Sequence, residues 1–240
     1  MNYPLQRAHH VGRNLFRLKA GNELPSTIEK VLFLRLAKYI GRLNDRLNNM
    51  ISRAELRKIT RIKRQALTHQ AQHSASLGLL EKLSTHEKVI AAKKVAIYLA
   101  NDGELDAMPF IKWCWQQQKQ VYVPVLHPFC AGHLLFLLFE RHTVMVKNHY
   151  GINEPVLSVN KVCPLNQLDV LCTPLVAFDQ SGARLGMGGG FYDRTLSHWQ
   201  QLNLYPIGLA HDCQQVDNIP TECWDIPLPE IITPTRRYQF

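Results

Sequence analysis

Apolar positions change period along this chain, and the change marks out its elements. From Ser52 to Thr68, Leu56, Ile59, Ile62 and Leu67 recur at helical spacing with Arg53, Arg57, Arg61, Lys63 and Arg64 around them. The pattern predicts a basic amphipathic helix, and Leu77 to Leu83 continues the helical character. Beyond that point the apolar runs become short and continuous. Lys94 to Leu99 reads as a buried strand, Asn101-Asp102-Gly103-Glu104 as a loop and Met108 to Gln118 as a helix. Val121 to Val125, Leu134 to Phe139 and Leu168 to Pro174 read as further strands. Val176 to Asp179 then leads into a glycine-rich loop, Phe191 to Gln201 reads as helix, and Pro206 to Ala210 and Glu230 to Thr233 as the last strands. Buried strands alternating with helices predict a three-layer α/β fold with a largely parallel sheet flanked by helices.

Composition narrows the class without deciding it. With 240 residues, 46% of them hydrophobic and 20% charged, the chain can bury one sizeable core and is neither fibrous nor disordered as a whole. No apolar run reaches the roughly 20 residues that cross a bilayer, so a soluble protein with no membrane partner is expected. The six cysteines include no C-x-x-C pair, which fits inert thiols in a reducing cytoplasm.

The net charge of +9 is concentrated at one end: residues 1–49 hold nine Lys/Arg against three Asp/Glu, leaving 19 against 16 for residues 50–240. The first segment offers a helix start at Pro25-Ser26-Thr27 but no apolar core of a secretory signal, and its single serine argues against a transit peptide. Met50, followed at once by Ile51-Ser52-Arg53, is a candidate start. On that expectation residues 1–49 are an extension outside the natural protein, and residues 50–240 form a single catalytic domain.

The segment richest in chemistry runs from Asp179 to Arg194. Five glycines fall in the nine residues from Gly182 to Gly190, between a strand and a helix. Glycines there let backbone N–H groups approach an anion, and the following helix start adds a favourable dipole, so the arrangement suits phosphate. Arg184 can add a bidentate cation. The segment lacks the lysine of a P-loop, and Phe191 stands where the dinucleotide pattern needs its last glycine.

Arg184-Leu-Gly-x-Gly-x-Gly-Phe-Tyr-Asp-Arg194, preceded by Phe178-Asp-x-x-Gly182, resembles the signature of 5-formyltetrahydrofolate cyclo-ligases. Arg53-x-x-x-Arg57, Leu99 to Glu104, Tyr150 to Pro155 and Pro206 to Ala210 resemble other pieces of that family in the same order, so the likeness spans about residues 52–235. Residues 1–49 have no counterpart in it; Phe191 replaces a commoner Tyr, and Met187 and Gly189 stand where some members carry basic residues.

The resemblance implies a fold like that of the sugar-phosphate isomerase and CoA-transferase-like proteins. It also implies conversion of 5-formyltetrahydrofolate and ATP to 5,10-methenyltetrahydrofolate, ADP and phosphate, with magnesium. Arg53, Arg57, Gly182 and the run Arg184, Leu185, Gly186, Met187, Gly188, Gly189, Gly190, Phe191 and Tyr192 would bind ATP. Arg184 and Tyr192 would act in catalysis, Arg184 on the transferring phosphoryl group. Leu99, Glu104, Tyr150 and Tyr192 would line the folate site, Glu104 accepting paired hydrogen bonds from the pterin edge and the tyrosines stacking on the flat ring. Asp179 and Asp193 are the carboxylates for magnesium, with turn closure and helix capping as their structural alternatives.

Histidine catalysis is not expected, because none of the eleven histidines stands beside a Ser or Cys in a nucleophile pattern; His211 reads as structural. A sugar-phosphate isomerase or CoA-transferase activity is the rival enzyme reading, since fold alone does not decide function. A nucleic-acid protein is the rival binding reading and rests only on the pI of 9.3 and the basic first segment. No nucleic-acid partner and a monomeric state are expected.

Overall fold

The computed structural model describes residues 51–240; the readings of a helix after Pro25 and of an extension before Met50 lie outside them. Helix α1 (Arg53–Gln65) opens on a capping box, with Ser52 and Glu55 satisfying each other's backbone donors. Helix α2 (His69–Ser84) is capped by Thr68, and α3 (Glu87–Ala91) leads into strand β1 (Lys94–Ile97). Helix α4 (Met108–Gln116), started by Pro109, connects β1 to β2 (Gln120–Leu126). Then come β3 (Leu134–Leu138), β4 (Met145–Lys147), β5 (Asn153–Pro155), β6 (Val162–Cys163), β7 (Val170–Pro174), β8 (Ala177–Phe178) and β9 (Arg184–Leu185). Helix α5 (Phe191–Leu196), β10 (Tyr205–Leu209), β11 (Glu230–Ile232) and β12 (Arg237–Gln239) complete the chain.

Eight strands form one sheet in the order β12-β11-β10-β7-β1-β2-β3-β6. The five from β11 to β2 run parallel, whereas β12, β3 and β6 pair antiparallel at the margins. The three-layer α/β reading therefore holds, with one refinement. Strand β3 cannot run parallel to β2 because only residues 127–133 separate them, and a parallel crossover needs about a dozen residues or more.

Burial on both faces explains why the central strands read as continuous apolar runs. Val95 and Ile97 of β1 and Val170 and Cys172 of β7 join one core cluster with Leu79, Leu83 and Phe110 from α2 and α4. Their alternates Ala96 and Leu171 join a second, with Phe178, Leu196 and Leu228. Leu79, Leu83 and Phe110 are wholly excluded from solvent, each contributing about 1.5–3 kcal/mol by burial. A smaller cluster of Leu56, Ala177, Ala183, Leu185 and Ile219 seats α1 on the β8–β9 hairpin. Helix α5 stops at Leu196, short of the expected Gln201, and a 3-10 turn follows over Trp199–Gln201. The tighter turn brings Trp199 and Leu202, three positions apart, onto the second core.

The strand order positions the site. From β1 the chain moves outward to β2, then returns to lay β7 on the opposite side of β1. In open α/β sheets such a reversal leaves a crevice beyond the carboxyl ends of the two strands. Here the loop after β1, residues 98–107, and the segment after β7, residues 175–190, face that crevice. Among the described residues, no helix is long and apolar enough to cross a membrane.

Candidate functional site

Helix α1 and the glycine loop form one wall of the crevice. Arg57 donates from Nε to the Gly186 carbonyl at 2.8 Å, and its guanidinium lies 3.6 Å from where a side chain on Gly188 would begin. Gly188 has φ +101, a conformation closed to other residues without strain, so the backbone requires glycine here. Burial and the charge of Arg53 lower the Arg57 pKa. Among the described residues Arg57 has no carboxylate partner, and only its Nε is engaged.

Arg53 is already occupied. Both of its terminal nitrogens hold the Asp225 carboxylate, and Nη1 also donates to the Pro220 carbonyl at 2.8 Å. The hydrogen bond that Arg53 donates to Asp225 raises the Arg53 pKa against the cost of burial. Asp225 stands 172 residues away, and no local sequence signal could have named it.

Arg184 sits deeper than the motif implies. Its side chain is 2% exposed and donates from Nη2 to Asp193 Oδ1 at 2.7 Å, while Nε finds no partner among the described residues. Burial lowers its pKa, opposed by Asp193. Asp193 also accepts from the Ile226 N–H through Oδ1 at 3.3 Å, leaving Oδ2 available. It lies in the first turn of α5 and does not cap it, since Gly190 holds the cap position in a left-handed conformation.

Asp179 lies apart from these groups in its bonding. It is buried, Oδ1 accepts from the Ser181 N–H and hydroxyl at 2.9 and 2.6 Å, and Oδ2 accepts from the Ile219 N–H at 2.9 Å. The turn it closes carries Gly182 at φ +83, against the Phe240 ring. Gly182 thus belongs to the β8–β9 hairpin, whereas Gly186, Met187, Gly188, Gly189 and Gly190 make the loop that faces α1. Leu185 is buried beneath that loop and packs on Leu56.

The opposite wall comes from the loop after β1 and from the β4–β5 ribbon. Leu99 lines a cleft of about 420 Å³ with Tyr98, Asn101, Met108, Phe139 and Ile152. Glu104 closes its own loop, accepting from the Asn101 N–H at 3.1 Å. Part of the residue stays exposed, but protein atoms crowd its carboxyl and burial pushes the pKa up to about 7. Tyr192 turns inward towards this group: burial, then the charge of Glu104, raises its phenol well above the ordinary value. Tyr150 is instead exposed on the ribbon tip and meets the Phe191 ring edge-on at 6.4 Å. The two tyrosines therefore come to the site from different sides and do not present one stacking face.

Sequence reading missed the group that braces this wall. Arg61, Arg64 and Gln65 all donate to Asp102, and the hydrogen bonds and charges of the two arginines, Arg61 foremost, lower its pKa to about 2. The spacing of Arg57 and Arg64, seven positions apart and so on one helix face, was the available signal. His211, read as structural, is buried with its Nε2 unpartnered among the described residues, and burial lowers its pKa.

Helix α1 thus bonds the glycine loop through Arg57 and the loop after β1 through Arg61 and Arg64. The family model described as "5-formyltetrahydrofolate cyclo-ligase family" matches residues 49–234. The chain belongs to this family of ligases. Over 180 residues it is 50% identical to the 5-formyltetrahydrofolate cyclo-ligase of Escherichia coli K12, covering 75% of this chain and 99% of that one. The cyclo-ligase of Haemophilus influenzae is 49% identical, with 75% of this chain and 94% of the relative covered. The solved structure of the Aquifex aeolicus 5,10-methenyltetrahydrofolate synthetase superposes with a TM-score of 0.68 at 26% identity, covering 79% of this chain and 93% of that chain. The cyclo-ligase family match takes in helix α1, the acidic loop after β1 and the glycine loop, all of which lie within residues 49–234.

Proposed function

We propose that this chain converts 5-formyltetrahydrofolate to 5,10-methenyltetrahydrofolate with consumption of ATP and release of ADP and phosphate. The observation that carries the reading is Arg57: a cation with no carboxylate partner among the described residues, held by its Nε against the glycine loop. A formamide oxygen is a poor leaving group. In the proposed reaction it attacks the γ-phosphorus of ATP, the bond to ADP breaks, and the formyl carbon becomes an imidate phosphate. N10 then adds to that carbon and loses its proton, and the C–O bond breaks as phosphate leaves and the ring closes. Phosphoryl transfer of this kind asks the protein for positioning and charge stabilisation.

In this reading Arg57, the amides of Gly186 to Gly190 and the start of α5 hold the phosphates, and Arg53 fixes the rim through Asp225. Arg184 supports the site from beneath, by its field and through Asp193. Leu99 contributes to the cleft after β1, Glu104 takes the pterin edge, and Tyr150 with Phe191 covers the opening. Magnesium prefers a few carboxylates together with phosphate oxygens. Asp193 fits that need because Oδ2 is available, while both Asp179 oxygens are already engaged. Among the described residues no three His, Cys, Asp or Glu side chains gather as a metal site, which favours an ion carried largely by the nucleotide. Magnesium would neutralise phosphate charge there. Residues 50–240 as the catalytic unit, a monomeric state, a reducing cytoplasmic setting and the absence of a nucleic-acid partner belong to the same proposal; all six cysteines are free thiols, consistent with that compartment.

The test is the absorbance of the methenyl product from 5-formyltetrahydrofolate, with ATP and magnesium each present or omitted. Product should form only when both are present, and formation without ATP would overturn the reaction as written. A pH series adds a second check. In the empty site Glu104 is neutral below about 7, whereas the proposed pterin contact needs the carboxylate. The folate KM should therefore fall by about tenfold between about pH 6 and about pH 8, as the ionised fraction rises from roughly a tenth to nearly all. Glu104→Gln should show a higher KM that no longer changes with pH. A native KM that rises with pH would remove Glu104 from the folate contact.

A further inference from the structure

The C-terminal half of helix α1 grips a different loop from its N-terminal half. Arg64, seven residues and about two turns beyond Arg57, lies on the same helix face and is completely buried. Its Nε donates to the Asp102 carbonyl at 2.9 Å and its Nη2 to Asp102 Oδ2 at 2.7 Å. Arg61 holds the same carboxylate, from Nε to Oδ2 at 2.7 Å and from Nη2 to Oδ1 at 3.1 Å, and Gln65 donates to Oδ1 as well. From α2, Gln72 reaches the Gly103 carbonyl at 3.4 Å.

This concentration of donors bears on a backbone that would not hold itself. Asp102 has φ +51 and Gly103 φ +74, two successive left-handed residues, the first with a side chain that disfavours the conformation. Glu104 follows directly, its N–H bonded to the Asn101 carbonyl at 2.9 Å, so the direction of its carboxyl is set by those two dihedrals. The helix invests in this grip at an energetic disadvantage, because a buried guanidinium is a poor stabiliser compared with an apolar side chain, and Arg64 Nη1 has no partner among the described residues. Simple packing of α1 on the loop would not need a cation. Fixing the loop in one geometry does.

We propose that the Arg64–Asp102 clamp is a positioning device that holds Glu104 at the orientation needed to receive the pterin edge of the reduced folate. The inference rests on the reading of Glu104 given under Proposed function. Because Arg57 and Arg64 share one rigid helix, the clamp also ties the folate loop to the element that faces the nucleotide.

The test compares Asp102→Asn, Asp102→Gly and Glu104→Gln in the full chain, by methenyl product formation with folate varied at saturating ATP and then the reverse. Asp102→Asn keeps the shape and loses the charge. Asp102→Gly frees the backbone to adopt φ +51 without strain, so a residue needed only for the turn would leave the enzyme unchanged. The clamp predicts that both Asp102 variants raise the folate KM by about tenfold, with the ATP KM altered by less than about twofold and kcat at saturating folate largely kept. A folate KM unchanged in both Asp102 variants but raised in Glu104→Gln overturns the clamp and leaves the folate reading standing. An unchanged folate KM in Glu104→Gln overturns both. If neither Asp102 variant folds, Arg61→Gln is measured instead, since it removes two bonds to the same carboxylate from a side chain that is 41% exposed. There a rise of about threefold in the folate KM supports the clamp, and no rise overturns it.

Discussion

Replacing Arg57 by Ala is expected to lower kcat/KM for ATP by about 10²–10³-fold while the folate KM at saturating ATP changes little. The size of the effect follows from where the side chain stands. Arg57 is half-buried against the Gly186 carbonyl, lies in contact range of Gly188, and among the described residues has no carboxylate to neutralise it. A cation so placed gains most when a triphosphate arrives, because the surroundings have already removed part of its water. Arg57→Lys should recover only part of the loss, since an ammonium keeps the charge but not the planar fork that reaches a backbone carbonyl and a phosphate together. Thermal unfolding of Arg57→Ala should stay close to native, because among the described residues the side chain makes one backbone hydrogen bond and no ion pair. Steady-state kinetics in both substrates, with an unfolding scan as control, decide the matter. Native kcat/KM for ATP in the Ala variant would remove the nucleotide from this wall of the crevice.

Arg184→Ala should behave differently, losing stability as well as activity. Its guanidinium is excluded from solvent and paired with Asp193, so truncation leaves a carboxylate facing a void. Breaking a fully buried pair from one side costs about 3–5 kcal/mol; because the Asp193 side chain is 21% exposed, the loss here should be smaller, about 2 kcal/mol or roughly 5 °C in the unfolding midpoint. At a temperature where the variant remains folded, kcat should still be down by about 10²-fold, because the positive field beneath the glycine loop is gone. Differential scanning calorimetry and kinetics on the same preparation separate the two losses. A destabilised variant with native kcat would make Arg184 a structural residue only. Glu104 carries the opposite stability signature. Its folded pKa lies above the usual carboxylate value, so the empty protein should become less stable as pH rises from about 4.5 through about 7, where the unfolded chain has already released the proton that the folded chain retains.

Much of the site was readable because its determinants are local. The glycines from Gly186 to Gly190, followed by the α5 start, announce a backbone able to approach an anion whatever surrounds it. The basic stripe on α1 is likewise local, with Arg53, Arg57, Arg61 and Arg64 near one face by helical period alone. What the pattern could not assign was which of these cations would be spoken for. Arg53 meets Asp225, Arg61 and Arg64 meet Asp102, Arg184 meets Asp193, and Arg57 is left facing the loop. Asp179 shows the same limit in reverse: an acidic residue beside a glycine-rich segment fits a metal or a turn equally well until the Ile219 N–H, 40 residues away, is seen to bond it.

Sequence by itself determined the buried strands, the helices between them, the glycine loop and the family signature, because each depends on residues within a few positions of one another. Period and glycine content constrain backbone conformation directly, and no distant partner has to be known. Only the tertiary structure decided the sheet order that brings the loop after β1 beside the loop after β9, the antiparallel margins, and the sharing of carboxylates among the arginines. Those outcomes depend on charges and strands far apart along the chain. Coulomb energy and desolvation act through distance in space, and the core's packing alone sets that distance.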